Sequence, residues 1–422
     1  MKVKIQQSVC ILLSVMTMLS VLFATGMSSY AADTTNITSI RKGIYSTVFN
    51  VADYKYGSDN CTNLGGISVG AANNRLFAVK SNEKEQTSTF YYYSNIYDTK
   101  KAPKRIVFKG SLLGHANAMA VDDDHVYVTR FKSNGTAKAE VLQISRKAIG
   151  LLKDKAVVSN DTQKINGERI CRKIAAKQYN STTKKYEAYE ERITAISKYS
   201  YNKETKEAVF LINAKYEGDR SILRFKKAVL NGTNLVVQDK EYTVYNTVRQ
   251  TSVSQPRKCV LQDIFYDKSY GLLIPIWHPN EKQQIEGRSD QGVLNSILQI
   301  NLNRPETKFA RVRVPDGKGG YKAGVYRVKT YDSLTSDDVV MSTFDAIKPT
   351  AVITVNASSD KFFKFELESV AFVTKTADKK SSAFRVIMSC NKQEWNSTTK
   401  KTGKMCDAIV ELSNAKDVML KL

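Results

Sequence analysis

The chain has 422 residues, 42% of them hydrophobic and 25% charged, and carries a net charge of +23 from 64 Lys+Arg against 41 Asp+Glu. These proportions exclude a disordered or low-complexity chain and allow a large buried core. The positive excess favours polyanions as neighbours and also keeps a protein soluble, so charge alone selects no ligand.

At the N-terminus, Lys2 and Lys4 precede an apolar run from Val9 to Phe23 that is short for a membrane span. With the small residues Ser29 and Ala31 it reads as a secretory signal peptide over 1–31, cut before Ala32. The expected product is extracellular, exported by a Gram-positive-type cell and able to associate with its wall. The polyanions there are wall teichoic acids, anionic lipids and acidic polysaccharides. Beyond Cys10, the cysteines are Cys61, Cys171, Cys259, Cys390 and Cys406, with no Cys-x-x-Cys pair and so no zinc spacing. Cys390 and Cys406 flank a hairpin-like segment and form either a disulfide or two buried thiols.

Residues 32–422 repeat one pattern five times. Each unit opens with a hairpin of two apolar strands. The pairs are Gly66–Val69 with Leu76–Val79, Ala118–Val121 with Val126–Val128, Ile193–Ile196 with Ala208–Ile212, Ile264–Tyr266 with Leu272–Ile274, and Val370–Val373 with Phe384–Met388. Turn formers such as Asn73-Asn74 and Asp122-Asp123-Asp124 fill the gaps. A third strand follows at Phe90–Tyr93, Glu140–Ile144, Ser221–Phe225, Ser296–Ile300 and Ala408–Leu412, and Arg105–Phe108 exemplifies a variable fourth. Four-stranded repeats of this kind predict an all-β chain folded as one β-propeller of five blades, with six as the alternative count. The long spacing of later units places insertions near 161–190 and 309–355.

The stretch Leu113-Gly114-His115-Ala116-Asn117-Ala118-Met119-Ala120-Val121, with Leu261-Gln262-Asp263-Ile264 and Leu367-Glu368-Ser369-Val370-Ala371 in later units, resembles secreted Gram-positive propellers of poorly known function. It is distantly similar to five-bladed propellers of phage receptor-binding and teichoic-acid-associated proteins. The resemblance implies binding to cell-wall glycopolymer; with the positive excess the expected ligand is an anionic one, and the chain is expected to act as a monomer with no specific nucleic acid partner.

In a propeller, the starts of inner strands and the ends of second strands converge on one face, where a ligand is expected. Inner-strand starts supply His115, Asn117, Arg192, Gln262, Asp263 and Glu368; second-strand ends supply Lys80, Arg130, Lys215, Trp277, His278, Lys392 and Trp395. Aromatic rings suit sugar faces and the cations suit phosphate or carboxylate. Asn117, Gln262 and Glu368 equally suit a role tying blades together, and Trp277 and Trp395 a role capping the core.

The alternative is a glycoside hydrolase or lyase using paired carboxylates from Asp263, Glu368 and Glu191. Against it, Gly65-Gly66 stands where five-bladed glycosidases carry an Asp, and no Glu-Gly-Pro lies near Glu191. Gly-x-Ser-x-Gly, Walker and His-Glu-x-x-His motifs are missing, and His115, His125 and His278 are far apart, so no cofactor or metal is expected. Asp122-Asp123-Asp124 reads as a tight turn before it reads as a calcium loop.

Overall fold

In a computed structural model, the described residues are 38–70, 74–98, 100–130, 139–202, 204–205, 207–213, 222–246, 260–278, 293–374 and 384–422. The expected signal peptide, Asn73, Lys215, Cys259 and the 279–292 connection lie outside them. From Ile40 onward the chain forms one compact unit.

It is an all-β propeller built of antiparallel meanders. The first runs Asn63–Gly70, Arg75–Ser81, Ser88–Tyr93 and Lys104–Phe108. The second runs Met119–Val121, His125–Thr129, Glu140–Ser145 and Cys171–Asn180. The third runs Ile196–Asn202, Glu207–Asn213, Ile222–Asn231 and Asn234–Tyr245, whose last strand pairs in parallel with the outer strand of the second. In the fourth, the inner position is split into Val260–Leu261 and Phe265–Asp267, followed by Gly271–His278, Leu294–Ile300 and Ala351–Thr354. The fifth uses Phe362–Thr374, Phe384–Asn396 and Ala408–Leu412, and takes its outer strand, Tyr45–Asn50, from the other end of the chain. That exchange ties the N-terminal end of the described chain to the last sheet, and Ser39–Lys42 just before it lies beside Ala351–Thr354 in the fourth.

Inner strands pack against each other around the centre, Asn63–Gly70 lying between Phe362–Thr374 and Met119–Val121. The first and second of them are buried along nearly their whole length, so their sequences run apolar without strict alternation. Apolar clusters fill the spaces between adjacent meanders. One joins Phe77, Phe90 and Phe108 to Met119, Val128 and Ile144; another joins Leu64, Ile67 and Tyr91 to Ala371 and Ile387.

The two stretches read as insertions also hold meander strands, Cys171–Asn180 in the first and Ala351–Thr354 in the second. Residues 161–190 contain the Lys164–Ile165 and Glu168–Arg169 hairpin, then the long Cys171–Asn180 strand paired with Lys185–Ala188. Within 309–355, Thr307–Pro315, Tyr321–Thr330 and Val340–Ala346 make a separate three-stranded sheet between the third and fourth strands of the fourth meander. The third inner strand begins at Ile196, where the sequence suggested Ile193. Its approach is held by the Asn213 side chain, whose Oδ1 accepts from Thr194 N (2.7 Å) and Ala195 N (2.8 Å), so those amides are bonded outside the ladder. Cys390 and Cys406 are free thiols, which decides against the disulfide; Cys61 and Cys171 are free as well.

Candidate functional site

A cleft of about 1140 Å³ opens at the face where inner strands begin. Its lining joins His115 and Asn117 before the second inner strand, Glu191, Arg192 and Thr194 before the third, and Leu261 and Gln262 in the fourth. Asn117 Nδ2 donates to Gln262 Oε1 at 2.9 Å, bridging two meanders in the floor. Asn213 Nδ2 donates to the Arg192 carbonyl (3.1 Å), so the same amide that ends the strand register also shapes the wall. Tyr189 donates its hydroxyl proton to Glu191 Oε2 (2.6 Å), and burial with that carboxylate drives the phenol well above its ordinary range.

Sequence reasoning named His115, Asn117, Arg192, Gln262 and Glu191, and all five line this cleft. It missed the hairpin that forms the other wall, with Gln178, Tyr179, Glu187, Tyr189 and Glu190. It also missed Asn213, although that residue directly follows the expected strand Ala208–Ile212 and so stands at a second-strand end.

The expected cationic and aromatic ring is not what lines the cleft. Glu187, Glu190, Glu191 and Asp239 face it against Arg192. The missing cations hold the scaffold together instead. Arg130 donates to the carbonyls of Leu112 and Ser111 and pairs with Glu140. Lys80, fully buried, donates to the Val51 carbonyl at 3.1 Å and pairs with Asp53 and Asp407. Lys392 is buried with Nζ 3.4 Å from Asn50 Oδ1. Each cation offsets carbonyls or carboxylates that burial would leave uncompensated. Trp277 is buried within its strand, and Trp395 is half-buried with its ring 6.0 Å from Phe363; neither is a cleft platform. His278 ends its strand opposite Leu294, and its side chain lies outside the described set.

The alternative carboxylates are also accounted for. Asp263 has no exposed surface. It accepts from Ile264 N (2.7 Å), from Ser369 Oγ, and from the backbone of Met119 and Ile196. Burial pushes its carboxyl well above the usual range against these donors. Glu368, buried beside Glu366, accepts from Asn391 Nδ2 at 2.8 Å. Desolvation and the Glu366 charge push it up to about 8, opposed by Lys364, which pairs with Glu366 at 2.9 Å. Both carboxyls sit in the scaffold, away from the cleft lining that Glu191 reaches.

Gly65 and Gly66 have a steric reason. A Cβ on Gly65 would stand 2.6 Å from the Ala116 carbonyl oxygen, and one on Gly66 would stand 2.9 Å from that of Asn117. Gly66 N donates to Ala116 O at 2.9 Å, so the first inner strand approaches the His115 loop too closely for any side chain. Asp122 forms the expected turn, its Oδ1 accepting from Asp124 N (2.8 Å) and His125 N (2.6 Å).

Among known proteins, no family model and no curated sequence matches the chain. Among solved structures, a neuraminidase-like protein from A/bat/Guatemala/164/2009 is similar over 89% of this chain and 96% of that one, at 9% identity and a TM-score of 0.35.

Proposed function

We propose that the protein is a secreted five-bladed propeller that recognises a cell-surface glycopolymer, holding a neutral, hydroxyl-rich stretch of it in the strand-start cleft. The Asn117–Gln262 bridge in the floor of that cleft carries the reading. Amides offer both donors and acceptors, which is what alternating sugar hydroxyls require, and the exposed Tyr179 adds aromatic surface beside them. The four carboxylates disfavour a phosphate or carboxylate group inside the cleft. Anionic groups of the same polymer meet the exterior of a chain whose net charge is +23.

Retention on purified Gram-positive cell walls tests the reading. It should fall steeply from low to physiological salt, because exposed charges are screened beyond about 8 Å at 0.15 M. Walls stripped of teichoic acid should retain much less protein. Equal retention on intact and stripped walls would remove the anionic polymer from the account.

A further inference from the structure

Three hairpin turns close in the same way, and two of them share one sequence. Asn180-Ser181-Thr182-Thr183-Lys184-Lys185 joins Cys171–Asn180 to Lys185–Ala188, and Asn396-Ser397-Thr398-Thr399-Lys400-Lys401 joins Phe384–Asn396 to Lys401–Met405. In both, the first residue stands opposite the sixth and the Asn side chain closes the turn. Asn180 Oδ1 accepts from Thr182 N (2.9 Å) and Thr183 N (3.2 Å), and Asn396 Oδ1 accepts from Thr398 N (3.0 Å) and Thr399 N (2.9 Å). The fifth residue is left-handed in each, Lys184 at φ 54° and Lys400 at φ 53°. Both tips leave from the face where inner strands begin. The first contributes Asn180 and Ser181 to the cleft lining. The second ends a strand whose Glu394 stands opposite Phe362, the first residue of the fifth inner strand.

The third turn separates what the closure needs from what this face adds. Asn202-Lys203-Glu204-Thr205-Lys206-Glu207 follows the far end of the third inner strand, and Asn202 Oδ1 accepts from Glu204 N (2.9 Å) and Thr205 N (3.3 Å) in the same way. It keeps Asn, Thr and Lys at the first, fourth and fifth positions, so these belong to the turn. Its two lysines are balanced by two glutamates. The tips on the cleft face carry Ser-Thr in place of Lys-Glu and Lys in place of the last Glu, so each holds two lysines and three hydroxyls with no acid among its six residues. Residues 181–185 and 397–401 are exposed. Among the described residues, ion pairs engage Lys80, Lys147, Lys329 and Lys364 but none of the four tip lysines.

We infer that 180–185 and 396–401 are two equivalent anion subsites that hold separate charged groups of one polymer chain. The inference rests on the cleft being a glycopolymer site, and it names where the phosphate or carboxylate groups of that polymer are held. In each tip the ammonium groups meet the negative charge, and the Ser and Thr hydroxyls donate to its oxygens. Neither Lys184 nor Lys185 lines the cleft, where Glu187 accepts from Asn180 Nδ2 (2.8 Å) and Thr183 Oγ1 (2.7 Å). The anion therefore stays on the outer side of the first tip while neutral sugar enters the cleft. The second tip has Gly403 at the position of Glu187. A chain held at one tip presents its other charged groups to the second tip at high effective concentration, so two modest contacts together retain a repeating polymer firmly.

The test measures dissociation constants for poly(glycerol phosphate) and for polygalacturonate at physiological salt, alongside retention on cell walls. Three charge-matched variants are compared: Lys184→Gln with Lys185→Gln, Lys400→Gln with Lys401→Gln, and Lys318→Gln with Lys322→Gln, a pair exposed on the inserted sheet. The inference expects the wild-type chain to bind at least one of the polymers, and the polymer bound names the anion. It expects either tip variant, at unchanged Tm, to bind that polymer at least about tenfold more weakly, because loss of one contact forfeits the gain from linkage. The inserted-sheet variant should stay within about twofold of the wild type, its charges being screened at this salt. Tip variants that bind as the wild type does, or an equal loss in the inserted-sheet variant, overturn the inference alone. So does a wild-type chain that cell walls retain but neither polymer binds. A wild-type chain that cell walls do not retain overturns the binding reading itself.

Discussion

Ser369 Oγ donates a hydrogen bond to Asp263 Oδ2 and accepts one from Ile67 N (3.2 Å) at the centre of the propeller. With the Met119, Ile196 and Ile264 amides also directed at Asp263, this pair links the inner strands of all the meanders. A carboxylate is suited to that place because it accepts on both oxygens, and several strand starts present donors to it. The first prediction follows from this hub. Asp263→Asn turns one acceptor into a donor facing amides, so it should destabilise by about 1–3 kcal/mol in chemical denaturation. An unchanged or raised midpoint would show that the hub contributes no net stability.

Glu368 gives a pH dependence of definite sign. Its folded value, pushed up to about 8, lies above the ordinary glutamate value of 4.5 expected for the unfolded chain. The folded state therefore binds the proton more tightly, and the contribution is fully present below about 4.5 and lost as pH rises through about 8. The slope between those limits approaches about 1.4 kcal/mol per pH unit for this group. Glu368→Gln should flatten it, measured as the difference between wild-type and variant unfolding free energies at pH 6 and pH 9. A variant that loses stability with pH as steeply as the wild type contradicts this assignment.

Lys80 is fully buried, and its removal leaves Asp407 buried without its cation. Lys80→Met should cost about 3–5 kcal/mol. Thermal unfolding reads this as a large drop in Tm, and a drop no greater than that of an exposed lysine variant would count against it.

Gly65→Ala tests the close approach of the first inner strand to the His115 loop. The added Cβ meets backbone at 2.6 Å, which no side-chain rotation can relieve. Destabilisation together with loss of wall retention is expected; a variant of wild-type stability and retention would show that the loop yields freely.

The architecture was legible in sequence because a propeller repeats its hydrophobic frame. Ala408–Leu412, for example, is a strand with the same bounds in both readings. Boundaries failed where a side chain replaced the ladder, as with Asn213 capturing the amides of Thr194 and Ala195. The face of the site was legible from strand polarity, which places His115, Asn117, Arg192 and Gln262 together. The roles of Arg130, Lys80 and Lys392 were not, because their partners Glu140, Asp407 and Asn50 are supplied by pairings that a linear reading does not rank.

The most direct test of the account is wall retention by a chain carrying both Asn117→Ala and Gln262→Ala. The two changes remove both partners of the floor bridge together, so neither amide is left unsatisfied and the scaffold keeps its hub. At a salt concentration where the wild-type protein is retained, the account predicts that the double variant, with unchanged circular dichroism and Tm, elutes from intact cell walls. Retention equal to that of the wild type would contradict it, and would place glycan recognition elsewhere on the molecule.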